Sequence, residues 1–151
     1  MEKWIKFWAY VSGAVSGYLF GGWSELVGFL LFLMAVDYGS GIVAAAREAY
    51  LGKGAGLSSA VGMIGLAKKV MIVALVAVCA QADGALGDVS FAGLALSGKH
   101  VLRDGAAAFY CANELLSIME NAGRIGVPVP GFIKQIVAVF KKMADKPGAT
   151  Q

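Results

Sequence analysis

Charged residues are scarce in this 151-residue chain: they make up 15% of it, whereas hydrophobic residues make up 58%. A soluble domain is about half apolar and about a quarter charged. The mean hydropathy of +0.70 therefore argues against a water-soluble globule, and the low charge content excludes a disordered chain. This composition is typical of a small protein that crosses a membrane several times.

Cysteine, histidine and proline are also rare, with two, one and three copies respectively. Cys79 and Cys111 lie in apolar runs and form no spaced framework, which excludes a disulfide scaffold and a zinc module. His100 stands alone beside Lys99, and the sequence shows no constellation of nucleophile, base or metal ligands. We therefore expect no enzymatic activity, no bound cofactor or metal, and no nucleic-acid partner.

Four segments of the chain are predicted to lie in a membrane. A helix needs about 20 mostly apolar residues to cross the hydrocarbon core. The sequence predicts helices at residues 4–20, 26–46, 61–86 and 101–122. The fourth is the weakest, because its charged residues require packing against other helices rather than lipid. The predicted fold is all-α and polytopic, with about four membrane-embedded helices in a domain that ends at residue 122.

The chain after residue 122 has a different character. Residues 123–130, GRIGVPVP, break the fourth helix. Apolar residues then recur at helical spacing among lysines, so residues 123–144 are predicted to hold this break and a basic amphipathic helix. That helix lies on an anionic membrane surface or docks on the spans. Residues 145–151 are expected to form a disordered tail.

Lysine and arginine are distributed unevenly about the predicted spans. Four antiparallel spans put the N-terminus, the segment after the second span and the C-terminal tail on one side. These regions hold two, four and five basic residues, which is 11 of the 13 in the chain. Cytoplasmic loops carry an excess of lysine and arginine. We therefore predict a multi-pass membrane protein with both termini in the cytoplasm.

Three glycines mark the first predicted span. Gly13, Gly17 and Gly21 are spaced four residues apart, so they share one face of a helix. Such a face lets another backbone approach closely. It can pack against another span of the same chain or against another subunit, and the sequence leaves both alternatives open.

An aspartate lies deep in the second predicted span. At a helix centre Asp37 costs about 2.5–3.5 kcal/mol on insertion scales, so it needs a partner. Lys68 or Lys69 is the best candidate, because the third span begins on the side where the second ends and a lysine stem reaches along its helix. The charges form a buried structural pair or line a water-filled path.

The fourth predicted helix carries a polar face. The residues on or beside that face are Tyr110, Asn113, Glu114, Ser117, Glu120 and Asn121. A polar face on a membrane helix contacts protein or water rather than lipid. Here it is buried against groups such as Lys68 and Lys69, or it lines an oligomeric lesion.

Three stretches of the chain resemble one known family. They are residues 33–41, LMAVDYGSG; the region from Leu57-Ser58-Ser59 through Gly62 and Gly65 to Lys68 and Lys69; and residues 113–121, NELLSIMEN, which continue to GVPVP. Their order and spacing resemble the toxin-secretion/phage-lysis holin family, the small phage holins related to clostridial toxin-release holins. The resemblance extends over roughly residues 20–143.

The resemblance implies a protein that oligomerises in the host cytoplasmic membrane late in phage infection and opens a lesion. A cell-wall hydrolase then reaches its substrate. The implied partners are the lipid bilayer and further copies of the chain, with a functional link to an endolysin that requires no direct contact. The family carries over no catalytic residues. Two other classes stay open: a small ion or proton channel or transporter that uses Asp37 and Glu114, and a non-conducting antiholin-type regulator.

Overall fold

The fold is a bundle of four long helices. The computed structural model describes residues 1–53, 58–87, 89–91, 94–96, 100–133 and 135. The helices are α1 (Glu2–Phe20), α2 (Glu25–Tyr50), α3 (Ser59–Leu86) and α4 (Val101–Ile125). Each predicted span lies inside one of them, and the predicted all-α class is confirmed.

A pair of short strands lies between α3 and α4, and the sequence pattern does not predict it. Strand β1 (Val89–Phe91) pairs antiparallel with β2 (Leu94–Leu96). Residues 131–133 and 135 are helical, but these four residues do not test the predicted amphipathic helix. The remainder of that predicted helix and the predicted tail lie outside the described residues.

Glycines end three of the helices. Gly21 follows α1 with a φ of 67° and Gly126 follows α4 with a φ of 92°, and both adopt the left-handed conformation that closes a helix. Gly87 follows α3 with a φ of 63°. The turn from α1 into α2 is short because Gly22 also has a positive φ, of 120°.

Two of the helices are long and apolar enough to cross a membrane by length and composition. Their most apolar 18-residue windows have mean hydropathies of 1.9 in α2 and 2.2 in α3. The bundle also exposes large apolar side chains, among them Trp8 on α1, Phe32 on α2 and Phe109 on α4. So many exposed large apolar side chains are not expected of a soluble monomer. A lipid environment accounts for them.

Helix α4 is the central element of the bundle. It packs along α2 and against α3, whereas α2 and α3 make few contacts with each other, and α1 packs against α3. The C-terminal ends of α2 and α4 meet at one end of the bundle, where Arg47 donates to the carbonyl oxygen of Arg124. We call this end, where α3 begins, the basic end.

The apolar cluster of the described residues lies in the half of the bundle away from the basic end. Its buried members are Phe20, Val27, Leu30, Leu33, Met34, Val76, Ala107 and Cys111. They come from the first half of α2, the second half of α3 and the first half of α4, with Phe20 at the end of α1. Leu30 and Val76 are each only 1% exposed. We call this region the dry half; the other half contains the candidate site.

Candidate functional site

One lysine joins two carboxylates at the centre of the bundle. Lys69 Nζ lies 2.9 Å from Asp37 Oδ2 and 2.5 Å from Glu114 Oε2. The three residues come from α3, α2 and α4, so a single ammonium group connects three helices. Glu114 is only 4% exposed. We call these three residues the charge triad.

The charge triad lies midway along its helices. Asp37 is the 13th of the 26 residues of α2, and Glu114 is the 14th of the 25 residues of α4. In a helix that spans a bilayer these positions fall near the midplane, where ionised side chains pair with one another or face a water-filled cavity. The triad holds two carboxylates and one ammonium group, so pairing alone does not balance its charge.

Asn121 fixes the orientation of the Asp37 carboxylate. Its Nδ2 donates to Asp37 Oδ1 at 3.0 Å and to Ser40 Oγ at 3.1 Å. The other carboxylate oxygen of Asp37 accepts from Lys69, so both oxygens have partners. Asn121 is 6% exposed. A buried amide must satisfy its donors, and here it does so on α2, which ties α4 to α2.

Arg124 continues this network toward the basic end. Its Nη1 donates to Asn121 Oδ1 at 3.0 Å, and its Nε and Nη2 donate to the two carboxylate oxygens of Glu48 at 2.9 and 2.7 Å. This is the bidentate geometry that makes an arginine–carboxylate pair directional. Both residues lie beyond the predicted spans. The hydrogen bonds from Arg124 lower the pKa of Glu48, and those to Glu48 raise the pKa of Arg124.

A cavity of about 430 Å³ separates α2 from α3, with α4 behind it. It extends from Ser58 and Arg124 at the basic end to the charge triad at the centre of the bundle. Lys68 also lines the cavity, but it is exposed and makes no ion pair within the described part of the chain. Of the two lysines that the sequence proposed as partners of Asp37, the structure therefore brings Lys69 into contact.

The polar face of α4 divides into two groups. Four of its residues line the cavity: Asn113, Glu114, Ser117 and Asn121. Tyr110 packs instead against the apolar core, and Glu120 is exposed. Where it borders the cavity, the face is buried at Glu114 and Asn121, which contact groups of α3 and α2, whereas Asn113 is exposed.

The three glycines of the first segment do not share one environment. A Cβ at Gly13 or Gly17 would meet nothing within 4 Å, so this face of α1 packs against no other span in the described part of the chain. Gly21 instead terminates α1 with a positive φ, and a Cβ there would lie 2.7 Å from His100 Cε1. Only Gly13 and Gly17 remain available as a contact face.

Asp83 holds together the end opposite the basic end. Its carboxylate accepts hydrogen bonds from the backbone N–H groups of Leu102 and Arg103, both at 2.9 Å. Arg103 Nη1 donates to the carbonyl oxygen of Phe20 at 2.6 Å, so the last turn of α1 is joined to the first turn of α4. Sequence reasoning missed this junction. The sequence did offer one signal: an aspartate and an arginine, Asp83 and Arg103, lie at the edges of apolar runs, where charged residues need partners.

Within the described residues no group of three or more histidine, cysteine, aspartate or glutamate side chains is arranged to hold a metal ion. The charge triad instead offers paired charges, hydrogen-bond donors and space for water. The arrangement can neutralise or hydrate charge inside a membrane.

The apolar surface, the two span-length helices and the central charge network define a helical membrane protein. The chain belongs to the bacteriophage holin family, whose sequence profile matches residues 14–142. This confirms the resemblance recognised from the sequence. Holins are membrane-pore proteins rather than enzymes.

Several bacterial proteins are similar to the chain. An uncharacterised protein of Halalkalibacterium halodurans is 40% identical over 93% of this chain and 96% of its own length. An uncharacterised protein of Listeria monocytogenes is 40% identical over 93% of this chain and 89% of its own. A 14.9 kDa protein of Clostridium perfringens, described as lying in the nagH 3′ region, is 31% identical over 89% and 93%. No solved structure gives a significant match.

Proposed function

We propose that the chain is a phage holin that accumulates in the host cytoplasmic membrane, oligomerises and opens a lesion through which an endolysin reaches the cell wall. Family membership supports this function. The observation that carries it is the polar surface enclosed by an apolar bundle: Asp37, Lys69, Glu114 and Asn121 satisfy one another inside a helical membrane protein. Such a chain can accumulate in the lipid bilayer with its polar groups paired and can supply a hydrophilic surface when the lesion opens.

We propose that all four helices are embedded in the membrane and that the basic end is cytoplasmic, which places both termini in the cytoplasm. The contacts of α4 support its inclusion. It meets Asp83 of α3 at its first turn and Glu48 of α2 at its last, so it runs the full length of the bundle. Arg103 and Glu114 of α4 are buried, whereas its Phe109 is 65% exposed.

Oligomerisation follows from size. Four helices of one chain leave no room for an opening that passes a folded hydrolase, so many copies must contribute. The face of Gly13 and Gly17 is open in the described part of the chain and allows close backbone approach. We propose that it forms a subunit contact, and that the residues of α4 around Glu114 line the lesion or its precursor.

The dry half argues against an ion channel within one subunit, because buried apolar side chains close the bundle beyond the charge triad.

An antiholin-type regulator would differ from a holin in its effect on cells. A holin expressed alone with an endolysin collapses the membrane potential and releases the enzyme, whereas an antiholin does neither. Inducible co-expression, with a potential-sensitive dye and extracellular endolysin activity followed over time, separates the two.

The decisive variant in this experiment is Glu114→Leu, with Glu114→Gln as its matched control. Replacement by leucine leaves Lys69 paired with Asp37 alone, so the group becomes neutral and insertion should not suffer. We expect normal membrane accumulation without endolysin release. Glutamine keeps a polar surface and should release the enzyme. Normal release by the leucine variant at wild-type protein level would overturn the role given to this surface.

A further inference from the structure

We propose that the cavity between α2 and α3 is a hydrated vestibule in each single chain, which admits water and small hydrophilic solutes from the basic end and stops at the charge triad. This inference concerns the chain before any lesion forms. It rests on the family's membrane location but not on oligomerisation or lysis.

The ionisable groups in the lining of the cavity favour water over a lipid chain. The cavity volume of about 430 Å³ is well above the roughly 10–15 Å³ that a single water molecule needs. A buried water needs two to four polar partners, and the wall offers side chains such as Asn113, Ser117 and Lys68 besides the triad. An acyl chain in this space would instead desolvate ionised groups without pairing them.

The charge of the triad gives a second reason for hydration. Lys69 faces two carboxylates, so the three groups carry one excess negative charge when all are ionised. An unbalanced charge at the centre of a bilayer is costly unless it is hydrated. Lys68 lines the same cavity but is exposed, and the ion pairs of the two carboxylates are with Lys69. Water in the vestibule therefore lowers the cost of keeping the triad ionised.

The vestibule has a closed inner end. Beyond the triad the bundle is filled by Leu30, Val76, Ala107 and Cys111, which are between 0% and 5% exposed. Voids lined by apolar groups remain dry. Hydrophilic solutes should therefore reach the middle of the membrane from one side without crossing it.

Cysteine labelling tests this geometry in membrane vesicles prepared before lysis. The starting chain is Cys79→Ala, which keeps the native Cys111 as a probe of the dry half. Ser117→Cys reports on the vestibule, Lys53→Cys marks the basic end, and Trp23→Cys marks the opposite end. The probes are charged, membrane-impermeant methanethiosulfonates of either sign, added to one face of the vesicles at a time. Membrane-soluble N-ethylmaleimide is the comparison reagent.

We expect Ser117→Cys to react with the charged reagents from the face that labels Lys53→Cys and not from the face that labels Trp23→Cys. Cys111 should stay unlabelled by them. Reaction of Ser117→Cys with N-ethylmaleimide alone would show a lipid-filled cavity and overturn the proposal. Reaction from both faces, or labelling of Cys111 by the charged reagents, would show that the inner end is not closed and would also overturn it.

Two matched glycine variants identify the route. Gly62 lines the cavity nearer the basic end than Ser117, and a Cβ there would lie 3.5 Å from the Tyr38 hydroxyl oxygen. Gly62→Leu should narrow the entrance and abolish labelling of Ser117→Cys. Gly39→Leu adds the same bulk at an exposed position with nothing within 4 Å, and should leave labelling unchanged. Equal labelling in both variants would show that the reagent arrives by another path.

Discussion

The Asp83 carboxylate caps the helix that begins at Val101: its Oδ2 accepts the backbone N–H of Arg103 at 2.9 Å. The first N–H groups of a helix have no partner inside the helix, and a carboxylate there also meets the positive end of the helix dipole. A residue of α3 thus supplies the cap of α4, and the two helices are joined across residues that include the β1–β2 pair.

Asp83→Ala should destabilise this junction. Loss of an N-terminal cap costs about 0.5–2 kcal/mol, and here two N–H groups lose their acceptor inside the protein. We expect a lower thermal midpoint in detergent. Asp104→Asn is the control, because Asp104 is half exposed and its carboxylate pairs at 2.8 Å with the Arg103 side chain rather than with backbone N–H groups. An equal effect of both variants would mean that the cap itself contributes little.

Lys69→Met should destabilise the chain far more than Lys68→Met. Removing Lys69 leaves the buried Glu114 carboxylate and the half-buried Asp37 carboxylate without a cation, and breaking a buried pair costs about 3–5 kcal/mol. Lys68 is exposed, and surface substitutions usually change stability by about 0.5 kcal/mol or less. Membrane accumulation, measured by quantitative immunoblot, should fall only for Lys69→Met.

A neutral triple variant tests whether charge causes this loss. Lys69→Met combined with Asp37→Asn and Glu114→Gln removes every charge of the triad, so accumulation should recover relative to Lys69→Met alone. If the triple variant accumulates no better, Lys69 contributes through packing rather than through its charge.

Gly17→Leu should delay or abolish lysis without reducing membrane insertion. A Cβ at Gly17 meets nothing within 4 Å in the described residues, so the single chain has space for a larger side chain. The proposed contact between subunits would have no space for it. Val15→Leu enlarges another exposed position on α1 and should leave lysis timing unchanged. Normal timing for Gly17→Leu at wild-type protein level would remove the glycine face from the assembly.

The contact between Glu48 and Arg124 should make the junction of α2 with α4 sensitive to acid. Arg124 holds the pKa of Glu48 below its ordinary value of 4.5. A carboxyl with a lowered pKa in the folded state stabilises above its ordinary pKa and loses that contribution as the pH falls through the lowered value. The thermal midpoint in detergent should therefore fall more steeply below about pH 4.5 in wild type than in Arg124→Gln. Parallel curves for the two proteins would contradict this.

Much of the fold follows from the sequence because membranes impose simple rules. Span length and apolar composition locate the four helices, and the cost of Asp37 at mid-helix demands a cation on the next helix. The choice of Lys69 over Lys68 does not follow, because neighbouring residues differ by about 100° around a helix and hydropathy alone does not fix the rotation. The rotation of α4 about its own axis likewise determines that Glu114 is buried and Glu120 is exposed.

The junction at Asp83 was beyond sequence reasoning for another reason. Its contacts join residues 19 and 20 positions apart, across a segment with no recognisable pattern. The carboxylate accepts hydrogen bonds from backbone N–H groups, which every residue except proline has. The identity of the residues in the sequence therefore does not indicate which of them bind Asp83. The prediction that Gly21 shares a helix face with Gly13 and Gly17 also differs from the structure. Its spacing from Gly17 matches a helix face, but α1 ends before Gly21.

The division of the bundle into a dry half and a polar half has a consequence for mutational tolerance. Around Leu30 and Val76 the constraint is volume, since close-packed interiors respond to a change of even one methylene group. Around Asp37 and Asn121 the constraint is hydrogen-bond chemistry, and side-chain size matters less beside an open cavity. In a saturation library along α2, the tolerated substitutions should therefore change within one helical turn. Up to Met34 they should be those that keep the side-chain volume, and from Asp37 onward those that keep a polar side chain.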